Sequence, residues 1–413
     1  MKAEFYVENR RRFFDLMEDD SIAVFFSGNL RRDTSDQIAY PFSVDRNFYY
    51  LTGLDRDGFV LILMKAGELR IEQLFIPPID PHFERWEAKM VRPEEATAVS
   101  GIKDVLYSYQ FDSEFSKKIF SPTVCKNAYI FTGIAEMHEP LTLAQTFASK
   151  IAELFPSLRI RNSLPLMLEL RSTKTTEEVE EISQAVNLAG DAMIHAAKLL
   201  QPGIWEYQIS AHYAHYLNMH GSKPRFRSVI AAAGNATLLH YNLGSYQCQD
   251  GDLVLMDVGA MNNWYISDIT RTFPINGKFN DKQRMVYEIV YEALEIAMGT
   301  MRVGIDESVI NEAIRDHYFK ALKGIGLIKD KDEVENYYMH RSGHPIGLDL
   351  HEFRYSRNVI TDGCVQTIEP GLYISEWGMG VRIEENVFVT SSGIKNLSEQ
   401  VPKTINDIEN IMK

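Results

Sequence analysis

Apolar residues recur along this chain with two periods, and each period predicts a different element. Ile22-Ala23-Val24-Phe25-Phe26, Phe59 to Met64, Gln73-Leu74-Phe75-Ile76 and Ala128-Tyr129-Ile130-Phe131 are short apolar runs, the pattern of buried strands. Residues 6–17, 113–120 and 141–155 have helical spacing. Strands alternating with helices predict an N-terminal α/β unit. A boundary follows near 165–175. Thr175 is placed to cap a helix, and Glu178, three residues later, to reach back to it. Val179, Ile182, Val186, Ala189 and Met193 then mark one helical face, which ends before Pro202-Gly203. The expected domains are 1–168 and 169–413.

The second part contains a repeat. Gly203-Ile204-Trp205-Glu206-Tyr207-Gln208-Ile209 and Gly304-Ile305-Asp306-Glu307-Ser308-Val309-Ile310 share the form Gly-Ile-x-Glu-x-x-Ile. Each copy follows one long helical pattern (176–200 and 281–301) and opens another (205–219 and 307–322). Each half then supplies a histidine, His240 and His340, and a strand running from a glycine to an acid, Gly251 to Asp257 and Gly363 to Glu369. This shared order predicts a duplicated α+β domain with a pseudo-two-fold axis that brings the two acidic strand sets together. Two copies are too few for a solenoid.

Composition narrows the function classes. The 413 residues are 45% hydrophobic and 24% charged, ordinary globular values that exclude global disorder. The formal charge of −14 repels nucleic acid and anionic membrane, so neither is expected as a partner. Cys125, Cys248 and Cys364 form neither a disulfide framework nor a CxxC site, which suits a reducing compartment. Residues 1–10 lack the apolar core of a signal peptide, and no run reaches the ~18–20 apolar residues of a membrane span. A soluble, cytoplasmic protein is expected.

The acids and histidines carry the candidate chemistry. Asp252 to Gly259 and Ser267 to Phe273 both read as strands, with Asn262-Asn263 midway. If that dipeptide is the hairpin turn, Asp257 faces Asp268 with Cβ atoms about 4.5–5.5 Å apart. Like charges so placed repel, and a divalent cation between them reverses the sign. A longer turn would shift the register and leave both acids in water. Glu369 enters a Pro-Gly bend, and Glu384 lies on the next strand; their odd separation is compatible with facing positions. His340, His344 and His351 fall in a turn-rich segment able to aim side chains inward, and His240 joins them from the first half. His212 and His215, on a helix with no acid at metal-site spacing, read as structural, as does His220. Four carboxylates and one imidazole make a hard, oxygen-rich site that suits Mn²⁺, with Zn²⁺, Co²⁺ and Fe²⁺ also tolerated. Two such ions can share a water, ionise it near neutral pH and polarise a carbonyl. Phosphoesterases use the same arrangement, so the ligands alone do not fix the reaction.

Five strings resemble the aminopeptidase P, prolidase and methionine aminopeptidase family, the pita-bread metallopeptidases. They are Leu255-Met256-Asp257-Val258-Gly259, Ser267 to Pro274, His344 to His351, Thr367 to Tyr373 and Val381-Arg382-Ile383-Glu384. The segment Tyr40 to Gly53 resembles the accessory domain of aminopeptidase P and prolidase, unlike methionine aminopeptidases. Creatinases share the layout but not the metal ligands. The resemblance implies a C-terminal pita-bread catalytic domain behind an N-terminal α/β accessory domain. It implies two divalent metals on Asp257, Asp268, His344, Glu369 and Glu384, with Asp268 and Glu384 bridging. It further implies catalytic roles for His240, His351 and Glu369, and a proline pocket lined by His340, Tyr373 and Arg382. Trp86 resembles a tryptophan that reaches into a neighbouring subunit, which implies a dimer or tetramer. Two positions depart from the pattern: Phe226 replaces a tyrosine and Ala88 a glycine. The activity implied is an Xaa-Pro aminopeptidase acting on peptides with proline second, through a hydroxide shared by the metals. Prolidase, which cuts Xaa-Pro dipeptides, is the near alternative. A silent metal-binding module is the alternative from another class, and it leaves His240 and His351 without purpose.

Overall fold

The computed structural model describes residues 1–30, 40–120, 125–133 and 140–413. It divides into two compact units, Met1–Leu170 and Arg171–Lys413. The first holds a six-stranded mixed sheet of β1 (Ser21–Phe26), β2 (Val60–Ala66), β3 (Leu69–Ile76), β4 (Asp104–Tyr107), β5 (Asn127–Ile130) and β6 (Arg159–Asn162), ordered β4-β3-β2-β1-β5-β6. The apolar runs became the four central strands. The edge strands β4 and β6 are four residues each; Leu106 and Ile160 pack on the core from them, too few apolar positions to mark a strand. Helices occupy Ala3–Leu16, Phe111–Ile119 and Leu143–Leu154, close to the helical stretches read from spacing. Phe115, Ile119, Ala148 and Ile151 from the last two pack on Ile22, Val24, Ile62 and Ile130. Burial of each large side chain there contributes about 1.5–3 kcal/mol.

The second unit is the duplicated α+β domain. Helices Thr176–Ala197 and Glu206–Met219 open its first half, and Asp281–Thr300 and Glu307–Gly324 its second. The first half continues through β7 (Val229–Ala232), β8 (Leu253–Val258), β9 (Met261–Asn262), β10 (Tyr265–Ile266) and β11 (Ile269–Pro274). The second continues through β12 (Cys364–Ile368), β13 (Gly371–Ile374), β14 (Met379–Arg382), β15 (Glu385–Thr390) and β16 (Gly393–Asn396). The capping box forms as its sequence dictates: Thr175 Oγ1 accepts from Glu178 N at 3.3 Å, and Glu178 Oε2 from Thr175 N at 2.9 Å.

The two repeat copies make the same backbone bonds. In the first, Gly203 N donates to Cys248 O (2.7 Å), Cys248 N to Ile204 O (2.9 Å) and Glu206 N to Tyr246 O (3.1 Å). In the second, Gly304 N donates to Ile360 O (2.9 Å), Ile360 N to Ile305 O (2.9 Å) and Glu307 N to Asn358 O (3.1 Å). The glutamate of each motif is buried and serves as an acceptor hub. Glu206 accepts from Ala232 N (2.8 Å), Asn235 Nδ2 (3.1 Å), Tyr241 OH (2.8 Å) and Tyr246 N (3.0 Å). Glu307 accepts from Gln366 Nε2 at 2.9 Å and pairs with Arg354 at 2.6 Å.

The hairpin register differs from the expected one. Asn262 pairs with Tyr265, and the turn is Asn263-Trp264, both left-handed at φ 44° and 70°. Two consecutive left-handed residues match the type I′ geometry that twisted hairpins favour. Asn262 is drawn into the ladder, and its side-chain amide donates to Gln184 of the first helix at 2.9 Å. Asp257 therefore faces Thr270 rather than Asp268. The shift is by an even number of residues, so both acids stay on one face, diagonally placed. In the second half β12–β15 and β13–β14 share one register (Ile368 with Glu385, Gly371 with Arg382), which puts Glu369 and Glu384 at facing positions in the break between them.

Glu206→Ala would leave the buried Ala232 N–H, the half-buried Tyr246 N–H and the Tyr241 hydroxyl without this acceptor. We expect it to cost about 3–5 kcal/mol in a denaturant melt, as loss of a buried hydrogen-bonded charge does. A loss below about 1 kcal/mol would show that the hub is not structural.

Candidate active site

The two halves each bring two acids to one place. Asp257 stands near the end of β8, Asp268 just ahead of β11, Glu369 just after β12 and Glu384 just ahead of β15. The backbones are stitched together there: Glu384 N donates to Thr270 O at 3.0 Å, and Arg382 N to Thr272 Oγ1 at 3.2 Å. Arg271, fully buried, donates to Glu384 O at 2.7 Å and pairs with Glu385 at 2.7 Å.

His344 sits on the turn-rich segment between helix Glu307–Gly324 and β12. Thr367 fixes its backbone, Oγ1 accepting from His344 N (3.0 Å) and N–H donating to His344 O (2.8 Å). His344 Nδ1 lies 3.1 Å from Pro345 O, an atom that only accepts. The proton therefore belongs on Nδ1, and Nε2 presents a lone pair. That nitrogen is 3.5 Å from Asp268 Oδ2 and 4.0 Å from Glu369 Oε1. One ligand atom from each of Asp268, His344 and Glu384 falls within 4.8 Å of the others. Asp257 Oδ1 and Asp268 Oδ1 are buried with no hydrogen-bond partner.

Electrostatics follow from this crowding. Burial, then Asp257 and Glu369, pushes the Asp268 carboxyl well above its ordinary pKa. Burial, then Asp268, does the same to Glu384. Burial raises Glu369 despite His344 and Arg382, which pull it down. An imidazole lone pair, orphaned carboxylate oxygens and like charges in one buried place form a donor set that fits divalent cations, because cations turn the repulsion into attraction.

Thr270, Asn386 and Thr367 support this set and were not singled out from sequence. Thr270 Oγ1 donates to Glu384 Oε2 (2.6 Å) and accepts from Arg382 Nε (3.2 Å). Asn386 grips the Asp268 backbone from both sides, its Oδ1 accepting from Asp268 N at 3.1 Å and its Nδ2 donating to Asp268 O. Thr270 follows Asp268 by two residues, as Asn386 follows Glu384. That acid-x-polar spacing, one strand face at period two, was the available signal.

Above the acids lies a cavity of about 360 Å³, walled in part by Phe226, His240, Asn242, His340, His351 and Arg382. A polar chain runs along it. Arg382 donates to Asp257 Oδ2 (2.6 Å) and Tyr373 OH (2.8 Å), and that hydroxyl lies 2.8 Å from His340 Nε2. His340 Nδ1 meets Arg341 O at 2.8 Å. Burial holds His340 down to about 4, so its ring is neutral near pH 7. Tyr373 and Glu384, each 1% exposed, do not wall the cavity; Tyr373 braces His340 and Arg382 from behind. The His351 and His344 rings are 4.3 Å apart, and burial, His344 and His240 hold His351 below the ordinary histidine range. Phe226 packs on Gly259, where a Cβ would come within 2.5 Å of its ring. Trp86, in the first unit, is 72% exposed. His220 stacks on Tyr216 at 4.3 Å, and no metal-sized cluster forms around it, His212 or His215 among the described residues.

A duplicated helix-and-strand domain closing on an acid–histidine floor defines a metal-dependent hydrolase of pita-bread architecture. Residues 180–391 match the model of metallopeptidase family M24, and residues 6–125 that of the aminopeptidase P N-terminal domain. A Haemophilus influenzae Xaa-Pro aminopeptidase is 33% identical over 99% of this chain and 97% of its own. A Pyrococcus furiosus Xaa-Pro dipeptidase is 32% identical over 73% of this chain and 86% of its own. A solved Bacillus anthracis structure assigned to aminopeptidase P superposes with a TM-score of 0.96 at 36% identity, covering 100% of this chain and 98% of that one. The chain belongs to metallopeptidase family M24, with the domain pairing of aminopeptidase P.

The histidine loop is tied down by a buried ion cluster. Glu352 pairs with Lys174 (2.6 Å) and Arg171 (2.7 Å), its backbone N–H donates to Pro345 O (3.0 Å), and its Oε1 accepts from Leu348 N (3.0 Å). Burial alone would raise its pKa; Lys174 and Arg171 outweigh burial and hold it at about 2. The folded value lies below the unfolded one of about 4.3, so the pair's stabilisation is full above that pH and lost as pH falls toward 2. We expect Glu352→Gln to be less stable than wild type by about 3 kcal/mol at pH 6. The gap should narrow between about pH 4.5 and 2. A gap independent of pH across that window would refute the assignment.

Proposed function

We propose that this protein is an Xaa-Pro aminopeptidase, hydrolysing the bond between an N-terminal residue and a following proline. The observation that carries this reading is the convergence of His240, His351 and Glu369 on one cavity above the acid–histidine floor, in a chain similar over its whole length to such enzymes. Asp257, Asp268, His344, Glu369 and Glu384 would hold two divalent cations; the oxygen-rich set suits Mn²⁺. When bound, such ions supply Lewis acidity and a water ionised near neutral pH.

The chain's own residues do the rest. Glu369, its proton affinity raised by burial, takes the proton of the attacking water and passes it to the departing proline nitrogen. His351 donates to the carbonyl oxygen as negative charge develops there. His240 contacts the peptide and relays protons. His340 and Arg382 border the proline ring, with Tyr373 locking both. The scissile amide nitrogen of proline carries no N–H, so a site shaped for a ring has no donor to satisfy there. The enzyme would work in the cytoplasm as a dimer or tetramer, with the exposed Trp86 of one subunit serving its neighbour.

Thoroughly chelated protein should be inactive and recover best with Mn²⁺. Asp268→Asn should stay folded by circular dichroism yet lose the metal, by elemental analysis, and most turnover. Full activity after chelation would refute the metal mechanism.

Substrate length separates this reading from Xaa-Pro dipeptidase, which the Pyrococcus furiosus relative keeps in view. A dipeptide presents an anionic proline carboxylate, which needs a cation to leave water. All three Arg382 nitrogens are engaged, with Thr270, Tyr373 and Asp257. We expect Ala-Pro-Ala to be cut faster than Ala-Pro with Mn²⁺ supplied. The reverse order would assign the protein to the dipeptidases and leave its metal chemistry standing.

A further inference from the structure

Two arginines wall the cavity, and they differ in what they hold. Arg382 is 3% exposed and committed at every nitrogen. Arg227 is exposed, and its Nη2 donates to Asn242 O at 2.6 Å. Among the described residues no carboxylate pairs with it. It lies two residues ahead of Val229, whose partner across the β7–β8 ladder is Asp257, so it stands near the acids without neutralising them. The bond to Asn242 fixes the guanidinium, while Nε and Nη1 remain to donate. A planar, permanently charged fork held at a cavity wall matches a carboxylate.

We propose that Arg227 is a specificity residue that receives a carboxylate of the bound peptide, from either the terminus of a chain that continues beyond the proline or an acidic side chain. This rests on the peptidase reading above. An exposed cation beside an acidic floor also offsets the repulsion that floor exerts on an anionic substrate.

Four peptides test it with the metal-loaded full chain. Ala-Pro-Ala and its C-terminal amide differ only at the terminus. The amides of Glu-Pro-Ala and Gln-Pro-Ala differ only at the first side chain. In at least one pair the acidic member should have the higher kcat/KM, with the difference in KM. Arg227→Gln should lower that acid-to-neutral ratio about two- to fivefold, the range for an exposed charge pair. Arg227→Glu should reverse the preference. The pair that responds identifies the source of the carboxylate. Ratios equal to wild type in both variants, for both pairs, overturn the inference and leave the peptidase reading intact. A wild-type protein that cuts none of the four at the Xaa-Pro bond overturns that reading, and the inference with it.

Discussion

Asp257, Asp268, Glu369 and Glu384 must be held together against their own repulsion. Two like charges about 4 Å apart at a partly screened site cost on the order of 4 kcal/mol. The protein does not relieve this by letting the acids swing into water. Asn386 clamps the backbone of Asp268, Thr270 bonds Glu384, and Arg382 pairs with Asp257. The site is thus rigid and short of positive charge, the condition under which divalent cations bind.

That rigidity comes from joining the two halves at the acids themselves. β11 runs against residues 382–385, and Arg271 donates across the seam to Glu384 O and Glu385. The repeat also explains why the halves meet in register. Each uses a Gly-Ile-x-Glu turn to dock its second helix against its own loop, and each buries the glutamate as an acceptor. Duplication supplies two similar frames, and their loops supply different chemistry.

The histidines stand on those loops, where aim depends on anchors. Glu206 holds Tyr241 and Tyr246 on either side of the segment that carries Asn242, and Glu352 holds the turns that carry His344 and His351. The polar chain from Asp257 through Arg382 and Tyr373 to His340 links the acidic floor to the cavity wall. His340 and the floor acid Asp257 thus stand at the two ends of one hydrogen-bonded chain. Such networks keep first-contact groups in a productive geometry without their own flexibility being spent on it.

Much of this was legible in the chain. Period-two and helical spacing gave the central strands and the long helices, because a buried face leaves its period in the sequence. The repeat gave the α+β duplication, and the acids and histidines stood out by type and place. The hairpin register was not legible: Asn262-Asn263 is the better turn by composition, yet Asn262 enters the ladder and bonds Gln184, leaving Trp264 left-handed. The edge strands β4 and β6 pack Leu106 and Ile160 on the core, too few apolar positions to signal a strand. Thr270, Asn386, Thr367 and Glu352 matter through partners roughly twenty to nearly two hundred residues away, a separation that no local pattern records. Local chemistry is written in the sequence; which distant oxygen answers which nitrogen is decided only when the two halves close on each other.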